Sequence, residues 1–199
     1  MIRIAVLVSG GGTNLQALLD AQNNHKLEDG VISLVISSVE GAYALKRASN
    51  EGIKTVTIER KKYDELSVFD DALVKTLSEN KIDLVVLAGF LSVLGEKVLK
   101  SYENKIINVH PSLIPSFCGK GFYGLKVHKA VLESGVKITG ATVHFVNDVL
   151  DGGKIILQKA VDVLKDDTPE TLQKRVMQEA EWVLLPEAVA MFCRGEIGA

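Results

Sequence analysis

The sequence has only two cysteines, Cys118 and Cys193, which lie far apart and lack the paired spacing of a zinc site. This composition indicates neither a disulfide framework nor a structural metal, and it fits a reducing, cytoplasmic setting. No apolar run is long enough to span a bilayer, and no signal-peptide cleavage pattern follows the apolar amino terminus. We therefore expect a soluble protein without a membrane partner.

The sequence also lacks an excess of basic charge, since 23 Lys and Arg are balanced by 25 Asp and Glu. Binding to a phosphate backbone requires a basic surface, so we expect no nucleic-acid partner. Repeats, low-complexity tracts and a convincing linker are absent too. The 199 residues, 47% of them hydrophobic, can build one core, so we predict a single domain over 1–199 with two unequal halves.

Short β-branched runs alternate with amphipathic segments over the first half of the chain. Apolar runs of this kind predict buried parallel strands at 2–8, 31–37, 55–58, 82–88 and 105–109. The amphipathic segments predict helices at 14–21, 42–50, 64–79 and 96–102. This βαβ alternation indicates an α/β fold with a Rossmann-like, doubly wound, mostly parallel sheet.

The pattern changes after Ser112, where a loop rich in glycine and aromatics at 117–123 precedes a helix at 124–134. Two strands, at 140–146 and 155–163, can pair as a hairpin and extend the sheet. A final helix is predicted from Pro169 to about Arg194, because Thr168 is a good cap and Pro169 suits the first turn.

A glycine-rich turn, SGGGTN at 9–14, lies directly between the first strand and the first helix. Glycines let the backbone approach a ligand closely, and the free N–H groups of a helix start favour a phosphate or another anion. The turn is not a dinucleotide fingerprint, because Leu15 stands where the third glycine should, and it lacks the Lys-Ser/Thr of a P-loop. The side chains of Thr13 and Asn14 favour a phosphate site, with a plain tight turn as the alternative.

Asn108 and His110 lie two residues apart at the end of the fifth strand, so their side chains point to the same face. Open α/β sheets bind their ligands at this end of the strands. Pro111 ends the strand, which frees the following loop to cover a site. The two side chains can therefore address one substrate atom, although a single histidine here can also be a structural residue.

A third polar group follows in the segment from Gly140 to Gly153, where Thr142 and His144 share one face of a strand. Asp151 then lies in a glycine-closed loop that can be a simple hairpin turn. An imidazole, an amide donor and a carboxylate together meet the needs of proton transfer at a carbonyl. Cys118 has no clear base partner as a nucleophile, so direct transfer is favoured over a covalent intermediate.

These motifs carry a family resemblance that extends over nearly the whole chain. NVHPSLIP at 108–115, HFV at 144–146 and LDGG at 150–153 resemble the catalytic signature of the formyltetrahydrofolate-dependent formyltransferases and hydrolases. SGGGTNLQ at 9–16 is similar to the start of the phosphoribosylglycinamide formyltransferases within that family, and AGF at 88–90 belongs to the match. Several motifs in the right order are far more specific than any one of them.

The resemblance implies formyl transfer from 10-formyltetrahydrofolate, the co-substrate, to the amine of glycinamide ribonucleotide in de novo purine biosynthesis, without a metal. It implies that Asn108 donates to the formyl oxygen as an oxyanion develops. His110 would shuttle the proton, and Asp151 would hold the imidazolium or an ordered water. His144 and Thr142 would be supporting residues, with Thr142 fixing Asp151.

The resemblance also implies where the two small-molecule substrates bind. The ribonucleotide phosphate is expected on Gly11, Gly12, Thr13 and Asn14, and the ribose hydroxyls are expected on Glu181. The folate is expected in a cleft formed by Phe90, Leu91, Ser92, Val93, Leu94, Val146, Asn147 and Asp148. Residues 1–100 would then form the phosphate-binding half, and residues 101–199 the folate-binding and catalytic half.

Two details depart from the family pattern or remain open. Ser92 stands where many relatives have arginine, and Lys61 and Lys62 are the basic residues available for the folate glutamate tail.

We expect His25 and His128 to be solvated and Trp182 to be a packing residue. Both a monomer and a homodimer are compatible with the sequence.

Other functions are weighed against this one. A methionyl-transfer-RNA formyltransferase would carry a basic domain after the catalytic one, and a formyltetrahydrofolate hydrolase a regulatory domain before the first strand. We expect neither, because the chain ends at Ala199 and Met1 already begins that strand. A non-catalytic nucleotide-binding module explains the glycine turn but not the coincidence of Asn108, His110 and Asp151.

Overall fold

A seven-stranded sheet organises residues 1–198, which are the residues that the computed structural model describes. The strands are β1 (Ile2–Val8), β2 (Gly30–Ser37), β3 (Lys54–Thr57), β4 (Leu84–Leu87), β5 (Ile106–His110), β6 (Ile138–Phe145) and β7 (Ile155–Asp162). Their order across the sheet is β3-β2-β1-β4-β5-β6-β7. The first five strands run parallel, whereas β6 is antiparallel to both β5 and β7.

Over residues 1–198, seven α-helices and two short helical segments accompany the strands, and the last two helices follow β7. The helices are α1 (Thr13–Asn23), α2 (Tyr43–Asn50), α3 (Leu66–Glu79), α4 (Glu96–Ser101), α5 (Leu125–Ser134), α6 (Pro169–Val176) and α7 (Trp182–Cys193). A 3-10 turn spans Arg60–Lys62, and a π-helical segment spans Met177–Glu181 between α6 and α7.

The central strands are buried on both faces, as their apolar sequences predict. In β1, Ile4, Val6 and Val8 pack into the core on one side of the sheet, while Ala5 and Leu7 pack into the core on the other. Successive side chains of a strand point to opposite faces, so a strand covered by helices on both sides needs apolar residues at every position. The doubly wound, mostly parallel sheet and its hairpin extension are confirmed.

The final helix differs from its prediction, because the π segment divides it. Its start is as predicted, since Thr168 caps α6 in a reciprocal pair with Thr171 and Pro169 occupies the first turn. Pro186 in α7 has no N–H to offer the carbonyl of Trp182, four residues earlier, where the π segment passes into α7. The local disturbance of the helix therefore falls immediately after Glu181, one of the predicted site residues.

None of the helices described over residues 1–198 is both long and apolar enough to cross a membrane.

Candidate active site

The pairing of β5 with β6 brings the predicted catalytic side chains together. Asn108 is opposite His144, and His110 is opposite Thr142. His110, Thr142 and His144 are buried, while Asn108 is half-buried. The polar cluster therefore lies at the carboxyl end of β5, mostly shielded from water.

Asn108 is held by His144. The His144 Nδ1–H donates to the carbonyl oxygen of Phe145 at 2.8 Å, so the neutral ring has its lone pair on Nε2. That nitrogen lies 3.1 Å from Asn108 Nδ2, which donates to it. Burial lowers the pKa of His144; the Phe145 carbonyl and Asp151 oppose this shift, and the charge of His110 adds a smaller lowering contribution. A neutral His144 thus orients the Asn108 amide and leaves its second N–H free.

His110 is fixed from the opposite side of its ring. Its Nε2–H donates to the carbonyl oxygen of Phe117 at 2.9 Å, and Nδ1 lies 3.6 Å from Asp151 Oδ2. The N–H of Gly119 donates to the same carboxyl oxygen at 2.8 Å. The loop after β5 therefore orients both the imidazole and the carboxylate, and a proton gained by Nδ1 would face Asp151.

The hydrogen bonds of Thr142 go to other groups than Asp151, which differs from what the family resemblance implies. Its hydroxyl donates to the carbonyl oxygen of Ser112 at 2.7 Å and accepts from the N–H of Ile114 at 3.1 Å and from Gln158 Nε2 at 2.9 Å. A buried hydroxyl opposite His110 is closer to the chain that leaves β5 than to the hairpin loop, so Thr142 anchors that chain instead.

The glycine turn is shaped by α2 as well as by its own sequence. Gly12 has a φ of 73°, and a Cβ there would meet Ala44 Cβ at 2.6 Å. Gly10 and Gly11 face open space. No acidic residue lies in the first turn of α1, so nothing there opposes an anion at the helix start. Arg47 Nε donates to the Gly11 carbonyl at 2.8 Å, which fixes the turn from the side.

Asn14, the last residue of the SGGGTN segment, contacts Glu181, although the two are 167 residues apart. Asn14 Nδ2 donates to Glu181 Oε2 at 2.7 Å, and both side chains are buried. Burial raises the pKa of Glu181 to about 7, and the hydrogen bond from Asn14 opposes that shift. The structure thus brings together the two residues that the family resemblance assigned to the phosphate and to the ribose.

Comparison with known proteins identifies the family. The family model described as "Formyl transferase" matches residues 2–189. The phosphoribosylglycinamide formyltransferase of Escherichia coli (strain K12) is 36% identical over 196 residues, which cover 98% of this chain and 89% of that protein. This chain belongs to the formyl transferase family.

Further relatives agree, and the resemblance recognised in the sequence is confirmed. The trifunctional purine biosynthetic protein adenosine-3 of Gallus gallus is 42% identical over 98% of this chain, although the chain spans only 19% of that protein. The solved structure of glycinamide ribonucleotide transformylase 1 from Symbiobacterium toebii has a TM-score of 0.92 and 42% identity, and the match covers 98% of this chain and 89% of that one.

Part of the predicted folate cleft lines one cavity of this formyl transferase. Leu94, Val146, Asn147 and Asp148 line a cavity of about 700 Å³ between α4 and the chain after β6. Leu99 of α4 lines it too. The segment from Phe90 to Val93 is not part of that lining, and its Leu91 and Val93 side chains are exposed. The structure therefore gathers half of the predicted cleft around one cavity, while the other half lies outside it, with Phe90 packed against the core and Leu91 and Val93 exposed.

Lys61 and Lys62 are already paired in the described structure. The ammonium group of Lys61 lies 2.9 Å from the Glu59 carboxylate, and that of Lys62 contacts the same carboxylate. Glu59 itself is buried. A folate glutamate tail would therefore have to compete with Glu59 for either lysine.

Sequence reasoning missed three groups that shape this site. Ser9 accepts from the N–H of Leu91 at 2.8 Å and so ties the folate segment to the glycine turn. Asp70 of α3 accepts from the N–H groups of Gly95 at 2.9 Å and Lys97 at 3.2 Å, which fixes the start of α4. The Phe117 carbonyl orients His110. Of these three groups, only Ser9 could have been found from the sequence, because it begins the glycine-rich motif at 9–14.

His128 contradicts the expectation that it is solvated, because it is fully buried in α5. Neither ring nitrogen has a hydrogen-bond partner among residues 1–198. Burial, followed by the charge of His110, lowers its pKa to about 4. In residues 1–198 no three His, Cys, Asp or Glu side chains are arranged to hold a metal ion.

Acidification is expected to destabilise the protein through His128. Its pKa in the folded state, about 4, lies below the 6.5 of an unperturbed histidine. Protonation then favours the unfolded chain, so stability falls as the pH drops from about 6.5 towards 4, by roughly 2–3 kcal/mol. Urea unfolding at pH 7, 5.5 and 4.5 should show a smaller loss for His128→Leu than for the wild type. His25→Leu, at an exposed histidine, is the control. If the stability of His128→Leu fell with pH as steeply as that of the wild type, His128 would not be the source of the acid sensitivity.

Proposed function

We propose that this chain is a phosphoribosylglycinamide formyltransferase, which transfers the formyl group of 10-formyltetrahydrofolate to the amine of glycinamide ribonucleotide. The observation that carries the proposal is the convergence of Asn108, His110 and Asp151 at the carboxyl end of β5. The names of its relatives support the same reaction.

Asn108 supplies the group that stabilises the developing oxyanion. One N–H of its amide is used by His144, and the second is available for the formyl oxygen. When the substrate amine attacks the formyl carbon, negative charge builds up on that oxygen. A fixed donor in a shielded site stabilises this charge without having to reorganise, and one such donor typically accounts for a factor of about 10²–10³ in rate.

His110 moves the proton that the reaction must transfer. The new bond joins the amine nitrogen to the formyl carbon, and the bond from that carbon to the folate nitrogen breaks. The amine loses a proton to His110 Nδ1, and the departing folate nitrogen receives it. Asp151, 3.6 Å from Nδ1, and the Phe117 carbonyl, 2.9 Å from Nε2, both stabilise the imidazolium between these two steps.

The remaining residues bind the two substrates. The free N–H groups of Gly11, Gly12 and Thr13 hold the ribonucleotide phosphate, in keeping with the open space beside Gly10 and Gly11. The folate occupies the cavity lined by Leu94 and Val146.

The small number of cysteines supports a cytoplasmic setting. Both a monomer and a homodimer remain compatible with the proposed function.

The purified protein is expected to convert 10-formyltetrahydrofolate only when glycinamide ribonucleotide is present. Deformylated folate, followed by its absorbance, should appear together with formylated ribonucleotide in equal amounts. Folate turnover of equal size without the ribonucleotide would point to a hydrolase. If the folate were not turned over in either condition, the protein would instead be a binding module or an enzyme with a different formyl acceptor.

A further inference from the structure

The helix α4 forms one wall of the cavity in which the folate is proposed to bind. Leu94, just before the helix, and Leu99 within it line the cavity, together with Val146, Asn147 and Asp148. The helix has only six residues, and a helix this short has little stability of its own in water. The position of this wall therefore depends on the groups that hold α4 in place.

The start of α4 is capped by a side chain from another helix. Its N-cap residue is Gly95, which has no side chain to accept the free N–H groups of the first turn. Asp70 of α3 supplies the missing acceptor, with one carboxyl oxygen 2.9 Å from the Gly95 nitrogen and the other 3.2 Å from the Lys97 nitrogen. Asp70 is 1% exposed. A carboxylate buried so deeply needs such donors, and the positive end of the helix dipole favours it too.

Gly95 is the residue that lets Asp70 reach the backbone of α4. Its φ of −93° is accessible to any residue, so backbone freedom does not explain the glycine. Space does, because a Cβ there would overlap Oδ2 of Asp70 and lie 2.9 Å from its Cγ. The three atoms nearest to that Cβ all belong to the Asp70 carboxyl. The missing side chain of the helix start thus makes room for the cap from α3.

The next residue of α3, Asp71, contacts the same helix in a different way. Its carboxylate lies 2.6 Å from the Lys97 ammonium group, but the two side chains are 61% and 48% exposed. Exposed ion pairs of this kind contribute little to stability. Asp70 and Asp71 are therefore a matched pair, one holding the backbone of α4 from within the core and the other touching a side chain at the surface.

We propose that Asp70 is a positioning residue for the folate, which acts by holding Leu94 and the first turn of α4 where they form the cavity wall. This inference rests on the proposed function for the identity of the ligand. The folate binds to the arrangement in which this wall is in place, so a less populated arrangement lowers the apparent folate affinity by the same factor. The ribonucleotide is proposed to bind at the glycine turn and not on α4, so its affinity should not depend on Asp70.

The test measures two dissociation constants by calorimetry under reducing conditions, that of tetrahydrofolate, the deformylated product, and that of glycinamide ribonucleotide. Asp70→Asn keeps the size of the side chain but has one acceptor oxygen in place of two. We expect the tetrahydrofolate constant to rise by about tenfold, the effect of one lost hydrogen bond to a charged group. The ribonucleotide constant, and kcat at saturating folate, should stay within about twofold. Asp71→Asn is the control and should change neither constant.

A rescue experiment separates this role from a general loss of stability. Asp70→Ala should weaken tetrahydrofolate binding at least as much as Asp70→Asn. Adding Gly95→Ser places a hydroxyl at the N-cap, where it can accept from the Lys97 N–H, and the absent carboxyl leaves room for its Cβ. We expect the double variant to bind tetrahydrofolate within about threefold of wild type. If Asp70→Ala does not fold, Gly95→Ala gives the same loss of affinity, because its Cβ displaces the carboxyl.

Three results would overturn the positioning role. They are a wild type that does not bind tetrahydrofolate, an Asp70→Asn variant that binds it as tightly as wild type, and a variant that weakens both ligands equally.

The two proposals can fail separately. A protein that binds tetrahydrofolate with the expected dependence on Asp70 but transfers no formyl group would reject the proposed function and leave the role of Asp70 intact. A protein that transfers formyl groups normally, and whose folate affinity does not respond to Asp70→Asn, would reject the role of Asp70 alone.

Discussion

Replacing His110 with alanine is expected to lower kcat for formyl transfer by about 10²–10⁴-fold, the usual contribution of a general acid–base group. Two features of the structure give this residue so large an effect. Nδ1 faces the Asp151 carboxylate at 3.6 Å, and Nε2–H is anchored to the Phe117 carbonyl. Alanine removes the only imidazole of the proposed path, and without it the amine proton has no positioned group to receive it.

The alternative explanation for a slow His110→Ala enzyme is a displaced loop, because the imidazole also anchors Phe117. The two explanations differ in binding. Loss of the proton carrier lowers kcat while the folate dissociation constant stays within a few-fold, whereas a displaced loop weakens folate binding as well. His110→Gln is the matched variant, since its amide can still donate to the Phe117 carbonyl from the position of Nε2 but cannot carry the proton. Normal turnover in His110→Gln would contradict the assigned role.

Substitution separates the role of His110 from that of its neighbour His144. His144 Nδ1–H is bonded to the Phe145 carbonyl, and its lowered pKa keeps the ring neutral through physiological pH. His144→Gln can still accept from Asn108, so it should retain more activity than His110→Ala. The two histidines, buried side by side, therefore have distinct tasks, one in proton transfer and one in orienting an amide.

The sequence predicted the arrangement of side chains at the end of β5 more closely than it predicted where the helices and strands end. Alternation in β5 correctly placed Asn108 and His110 on one face, because side-chain direction in a strand depends only on residue parity. The hairpin of β6 and β7 followed from two apolar runs joined by a glycine-rich loop. Both are local properties, so one sequence is enough to reveal them.

Long-range contacts were out of reach for physical reasons. The Asn14–Glu181 pair joins residues 167 positions apart, and its geometry depends on how the π segment packs. The turn of Thr142 towards Ser112 depends on the path of a loop. His128 was misjudged because a histidine between apolar positions of a helix can face either way until the packing of the whole helix is known.

The second large effect is expected from Gly153→Ala, at the start of the chain that leads into β7. A Cβ at this position would overlap the carbonyl oxygen of Phe145 and lie 2.7 Å from its carbonyl carbon. Backbone atoms cannot rotate away as a side chain can, so the turn itself must move. That movement would break the bond from the Phe145 N–H to the Lys154 carbonyl, 2.9 Å in length, at the point where β6 and β7 meet.

Gly153→Ala should lower both the stability of the fold and the rate of catalysis. We expect the free energy of unfolding in urea to fall by about 3 kcal/mol or more, in the upper range for a single substitution. Asp151 is two residues from Gly153, and it holds a φ of 55° while facing His110. A shifted turn moves that carboxylate, so residual folded protein should also lose proton transfer. Gly10→Ala, where a Cβ meets nothing within 4 Å, is the control for stability and should stay within about 0.5 kcal/mol. If Gly153→Ala matched that control, the hairpin turn could not be what holds Asp151 against His110.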